Sequence, residues 1–227
     1  MRIKQFISYI LLATLATLAS WAQASVVNDA MQSGTAEEAV VIATNEVLDL
    51  ITSGQAYIEE NPARFYTEVK DLLDPMIDFD RFARSVMGVW YKKASPEQFE
   101  TFAESFKWSL VKTYATALSE FHEGKVRVVP GRGGKPKPSK ALVAMEIDWQ
   151  GKTYSAIYDM RKKADTWQLV NVSVEGINLG LNYKSQFDSA MKGPKYGRNL
   201  DRVIEAWANQ VGDGRDDLKS GAGTDAR

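Results

Sequence analysis

Residues 96–130 read PEQFETFAESFKWSLVKTYATALSEFHEGKVRVVP, and the spacing of their apolar positions changes partway along. Phe99, Phe102, Phe106, Leu110, Tyr114, Ala117 and Phe121 recur at helical intervals of three and four. Ser95-Pro96-Glu97-Gln98 supplies a capping box with proline at the first helical position, so the spacing predicts a helix over 96–121. A second stripe of Trp108, Val111, Ala115 and Leu118 makes this helix apolar nearly all round. A surface helix needs one apolar stripe. A helix with two is covered by protein on both sides, or faces a core on one side and an apolar ligand on the other. Past Gly124 the period drops to two, and residues 125–130 read as a short strand.

The strand pattern continues downstream. Residues 141–149 alternate, with Val143, Met145, Ile147 and Trp149 on one face. Gln150-Gly151 is a turn, and residues 153–160 put Tyr154, Ala156, Tyr158 and Met160 together. Residues 167–174 form a fourth strand, and Gly176 permits a turn after it. Four strands with short turns predict an antiparallel meander. The first two are joined by a basic loop containing Arg132, Lys135, Lys137 and Lys140. Two more helices follow, over 181–191 and 200–210.

Upstream, Thr35-Ala36-Glu37-Glu38 is a capping box followed by the stripe Val40, Ala43, Val47, Leu50. Asn61-Pro62 starts a second helix carrying Phe65, Val69, Leu72 and Met76. Asp78 caps a short third, with Phe79, Phe82, Val86 and Val89 inward. The fold class expected is therefore α+β. A helical N-terminal half and C-terminal helices pack on a four-stranded antiparallel sheet and enclose an apolar cavity.

The first residues point to export. Arg2 and Lys4 precede an uncharged, mostly apolar run over 6–19, and Ala22-Gln23-Ala24 is a small-residue cleavage site. The run is short for a membrane span, so the expectation is a signal peptide over 1–24, cut after Ala24. The functional domain then covers 25–210, and residues 211–227, without apolar anchors, form a disordered tail. With Arg2 and Lys4 removed, 26 basic residues face 29 acidic ones, which argues against nucleic acid as a partner. The chain has no cysteine, hence no disulfide framework and no Cys/His metal site. Its single histidine, His122, suits the end of the long helix. The glycine loop at 131–138 fails the phosphate-binding motif, because Pro136 follows Lys135. The balance favours a binding protein over an enzyme.

Two further segments carry a resemblance. One runs Asp78-Phe79-Asp80-Arg81-Phe82-Ala83, Val86-Met87-Gly88, Ala94-Ser95-Pro96-Glu97-Gln98-Phe99 and Lys112-Thr113-Tyr114-Ala115. The other is Val174-Glu175-Gly176-Ile177-Asn178-Leu179 followed by Asn182-Tyr183-Lys184-Ser185-Gln186-Phe187. Their order and spacing over residues 35–210 resemble the MlaC family of periplasmic toluene-tolerance proteins. The resemblance implies a phospholipid carrier that maintains outer-membrane lipid asymmetry. Such a carrier is a monomer without a cofactor, its bound phospholipid being cargo. It implies exchange with an outer-membrane lipoprotein–porin complex and with an inner-membrane ABC transporter that carries a mammalian-cell-entry-type subunit and hydrolyses the ATP.

Within that reading the expected lipid-contacting residues are Phe102, Phe106, Leu110 and Tyr114 from the helix. The sheet adds Val143, Met145, Ile147, Tyr154, Ala156 and Tyr158, and Ile177 is implied at the mouth by the family motif. The bland alternative for each is ordinary core packing. Three rival functions remain: a carrier for another hydrophobe, a solid-core adaptor, or a pocket enzyme of isomerase type using Asp159 with Tyr158.

Overall fold

The computed structural model describes residues 34–119 and 125–211. The expected signal peptide, His122 and, Val211 apart, the expected tail lie outside the described residues. Among those described, four α-helices precede the sheet: α1 (Ala36–Gly54), α2 (Pro62–Leu73), α3 (Phe79–Met87) and α4 (Pro96–Ser119). The strands are β1 (Lys125–Val128), β2 (Lys140–Trp149), β3 (Lys152–Lys163), β4 (Thr166–Val174) and β5 (Ile177–Asn178). Helices α5 (Leu179–Lys192) and α6 (Leu200–Val211) follow.

Each N-terminal helix starts where a local side chain satisfies its free amides. The Glu38 amide donates to Thr35 Oγ1 at 3.2 Å and the Thr35 amide to the Glu38 carboxylate at 2.7 Å. Asn61 accepts from the Arg64 amide at 3.1 Å, and Asp78 from the Arg81 amide at 3.0 Å. Ser95 and Gln98 make the reciprocal pair that opens α4, at 3.2 and 2.9 Å. Helix α3 ends at Met87 because Gly88 turns to φ +56°, where only glycine sits without strain. The chain continues as a 3-10 turn over Gly88–Lys93. That turn swings Val89, expected inward, out to 66% exposure and lets the Trp90 indole donate to Asp188 at 2.9 Å.

The sheet is an antiparallel meander in the order β1-β2-β3-β4-β5. The fifth strand, absent from the sequence reading, is two residues long and follows the turn Glu175-Gly176, both at positive φ. Val143 faces Tyr158, Met145 faces Ala156 and Ile147 faces Tyr154, so the expected inner face is formed. One irregularity decides what that face contains. Asp159 pairs with Asn171 but Met160 pairs with Leu169, which leaves Val170 as an extra residue in β4. The bulge resets the alternation, so that Leu169, Val172 and Val174 all reach the same side.

The apolar interior has three parts. Phe82, Phe102, Phe106 and Phe187, with Trp207, form an aromatic core among α3, α4, α5 and α6. Phe102 meets Phe187 edge-on at 4.9 Å and Phe82 meets Phe106 edge-on at 5.3 Å, while Phe102 and Phe106 stack at 5.8 Å. Phe65 and Val69 of α2 pack on Trp108, Val111 and Ala115 of α4. The third part lies between the start of α1 and the sheet. The two apolar stripes of α4 are therefore both covered over much of their length, by α3, α5 and α6 on one side and by α2 on the other.

Asn171, beside the bulge, joins β4 to α5. Its Oδ1 accepts from the buried Gly180 amide at 2.9 Å, and its Nδ2 donates to Asn178 Oδ1, the N-cap of α5, at 3.0 Å. Asn171→Ala leaves the Gly180 amide without a partner, and the expected loss is about 1–3 kcal/mol of folding stability. Urea unfolding measures it, and a midpoint equal to wild type would contradict the assigned role.

Candidate functional site

The first turns of α1 lie close on the sheet because Ala36 and Ala39 are small; with Val40 they cover Val143, Met145 and Ala156. The start of the helix is tied down by the Trp167 indole of β4, which donates to the Gly34 carbonyl at 3.0 Å. Further along, the same helical stripe continues as Ala43, Thr44, Val47, Leu48 and Ile51, but the sheet no longer meets it. The space between is a cavity of about 430 Å³.

Its walls come from every layer. Helix α4 contributes Leu110, Val111, Tyr114 and Ala115, and α3 contributes Phe79 and Phe82. The α2–α3 connection adds Met76 and Ile77, held against β4 where the Leu169 amide donates to the Met76 carbonyl at 2.9 Å and the Asp78 amide donates to the Leu169 carbonyl at 3.0 Å. The sheet supplies Val126, Ile147, Trp149, Tyr158 and Met160, together with the three β4 residues that the bulge brings to this face. Among the described residues, only Thr44, Tyr114, Trp149 and Tyr158 bring polar side-chain atoms to the lining, and no charged side chain does.

Tyr114, at 37% exposure, is the only exposed residue of the described wall, so the cavity meets the surface there. Its hydroxyl lies 3.4 Å from that of Tyr183. Burial, and then the contact with Tyr114, holds the Tyr183 phenol well above the usual tyrosine range. Burial alone raises Tyr158. Both are neutral hydroxyls at physiological pH. Beside this end, Ile177 and Leu181 stand 58% and 63% exposed.

Four of the residues expected to contact lipid line the cavity: Leu110, Tyr114, Ile147 and Tyr158. Phe102 and Phe106 are fully buried in the aromatic core instead, one and two turns before the cavity begins. Val143, Met145 and Ala156 are on the correct face but under the start of α1. Tyr154 and Ile177 are outside the lining. The sequence reading did not name the α1 wall, although its stripe was visible, nor Leu169, Val172 and Val174, whose facing depends on the bulge. Asp159, the acid of the enzyme alternative, sits on the opposite face from Tyr158 and pairs with Arg161 at 3.2 Å. Among the described residues no cluster of three or more His, Cys, Asp or Glu side chains is placed to hold a metal ion.

Core and wall positions differ in what truncation removes. Phe106→Ala empties a filled aromatic site and is expected to cost about 3–5 kcal/mol. Leu48→Ala, on a side chain that already borders open space, is expected to cost clearly less than the ~2–5 kcal/mol of a fully packed leucine. Denaturant midpoints of the two variants check this, and equal losses would mean that the wall is as densely packed as the core.

Comparison with known proteins agrees with this architecture. The profile of the family described as MlaC protein matches residues 42–209. The toluene tolerance protein ttg2D of Pseudomonas putida is 34% identical over 170 residues, 74% of this chain and 77% of that protein. The intermembrane phospholipid transport system binding protein MlaC of Haemophilus influenzae is 28% identical over 86 residues, 38% of this chain and 40% of that protein. A phospholipid-binding protein from Ralstonia solanacearum, solved in complex with a phospholipid, shares the fold with a TM-score of 0.67 at 23% identity, over 80% of this chain and 99% of that one. The chain belongs to the MlaC family.

Proposed function

We propose that this protein is a periplasmic phospholipid carrier, exported by a signal peptide over 1–24 and working as a monomer of residues 25–210. It takes up lipid at one membrane complex and releases it at another. The partners are an outer-membrane lipoprotein–porin complex and an inner-membrane ABC transporter with a mammalian-cell-entry-type subunit. The result is maintenance of outer-membrane lipid asymmetry. The observation that carries the reading is the cavity of about 430 Å³ with an almost entirely hydrocarbon lining, in a chain of this family. Its volume lies within the roughly 300–1,000 Å³ of small-molecule sites.

The physical need for such a cavity is simple. Each methylene exposed to water costs about 0.8 kcal/mol, so a single acyl chain of ordinary length costs on the order of 10 kcal/mol. A carrier offsets that cost by matching hydrocarbon with hydrocarbon. The absence of charge on the described wall agrees with holding the chains inside and the head group outside, near Tyr114.

Native mass spectrometry of protein purified from the periplasm without detergent, with lipid analysis of the extract, tests the reading. A near-stoichiometric phospholipid is expected. A protein that stays empty after incubation with liposomes and the donor complex overturns the carrier reading. A different bound hydrophobe replaces phospholipid as the cargo.

The site itself is tested by filling it. Val47→Trp on α1 and Ile147→Trp on β2 place an indole in the cavity from opposite walls. Both are expected to fold and to bind lipid at least about tenfold more weakly, which needs a loss of only ~1.4 kcal/mol. Lipid content equal to wild type in both folded variants would move the cargo site elsewhere.

A further inference from the structure

The four polar side chains on the cavity wall are not equivalent. Tyr114 shares a hydrogen bond with Tyr183, and Trp149 is engaged. Thr44 and Tyr158 have no hydrogen-bond partner among the described residues. Of the helical threonines, Thr44 shares this with the exposed Thr113 but differs from it in facing the cavity. Thr52, Thr67 and Thr101, also helical, each donate to the carbonyl four residues back, at 2.9, 3.0 and 2.8 Å. A hydroxyl facing an apolar space is costly unless something there accepts its proton.

The position of the pair matters. Thr44 is on α1 and Tyr158 on β3, so they border the cavity from its two opposite walls. Tyr158 pairs with Val172, which also borders the cavity. A group that accepted from these hydroxyls would have to be neutral, because no cation on the described wall compensates a phosphate or a carboxylate.

Resting on the carrier reading above, we propose that Thr44 and Tyr158 form a subsite that donates hydrogen bonds to the ester carbonyl oxygens of an acyl-glycerol cargo. The cavity then selects lipids by linkage as well as by hydrocarbon. A cargo with the same chains and head group but ether links offers no carbonyl oxygen to either hydroxyl, only the ether oxygens of the glycerol links.

The test is competitive loading of the full chain from vesicles containing equal amounts of diester and diether phosphatidylglycerol with identical chains, read by native mass spectrometry. Wild type is expected to take up the diester form about 3- to 10-fold in preference, the size of one neutral hydrogen bond. Tyr158→Phe, which keeps the ring, and Thr44→Val, which keeps the shape, should each bring that ratio towards one, and the double variant should abolish the preference. Equal loading of the two lipids by wild type overturns the inference, as does a preference that survives in the folded double variant. Wild type that loads neither lipid overturns the carrier reading itself.

Discussion

Ala36, Ala39 and Val40 bring the first turns of α1 into contact with the middle of the sheet, and the Trp167–Gly34 hydrogen bond fixes the helix start at the sheet's far end. Everything on the cavity side follows from this close contact at one end only. A helix is straight over this length and a sheet twists, so a helix pinned at its first turns separates from the strands as both run on. Longer side chains at Val47, Leu48 and Ile51 do not close the gap, and α4 and the α2–α3 connection wall it instead. The described helices and the sheet enclose this open space between them.

The β4 bulge is the second constraint. Strict alternation from Val174 and Val172 would have turned Leu169 to the outer face. With Val170 inserted, Leu169 joins the cavity wall and its backbone bonds the Met76–Asp78 segment. One extra residue thus supplies a wall position and the anchor for the connection between α2 and α3. Asn171, next to it, fixes the start of α5, so the rim residues Leu179 and Tyr183 take their places from the same irregularity.

These two constraints also mark what the sequence conveys. Helix starts are legible because a cap is a local device: Thr35 with Glu38, Asn61 before Pro62, Asp78, and Ser95 with Gln98 act over four residues. The inner face of the sheet is legible for a similar reason, since alternation over Val143, Met145 and Ile147 needs no knowledge of the partner strand. The bulge is not legible, because it depends on which residue of β3 faces which of β4. The division between packed core and cavity wall is hidden for another reason. Met145 and Ile147 are chemically alike and on one face, yet one lies beneath α1 and the other borders the cavity. Phe102 and Leu110 are likewise on one stripe of α4, separated by where the aromatic core stops.

The aromatic cluster accounts for how a chain of this size tolerates such a space. Extrapolating the cost of unfilled volume in protein interiors, 430 Å³ corresponds to on the order of 10 kcal/mol, an upper bound for a cavity that is not fully enclosed. That is comparable to the whole net stability of an ordinary domain, about 5–15 kcal/mol. Phe102, Phe106, Phe187 and Trp207 offset it by packing a solid core at the earlier turns of the same α4 stripe. Along α4 the packed core gives way to the cavity wall at Leu110, which belongs to both. Phe102 and Phe106, conspicuous in the sequence, belong to that core, while Leu110 and Tyr114 of the same stripe border the cavity.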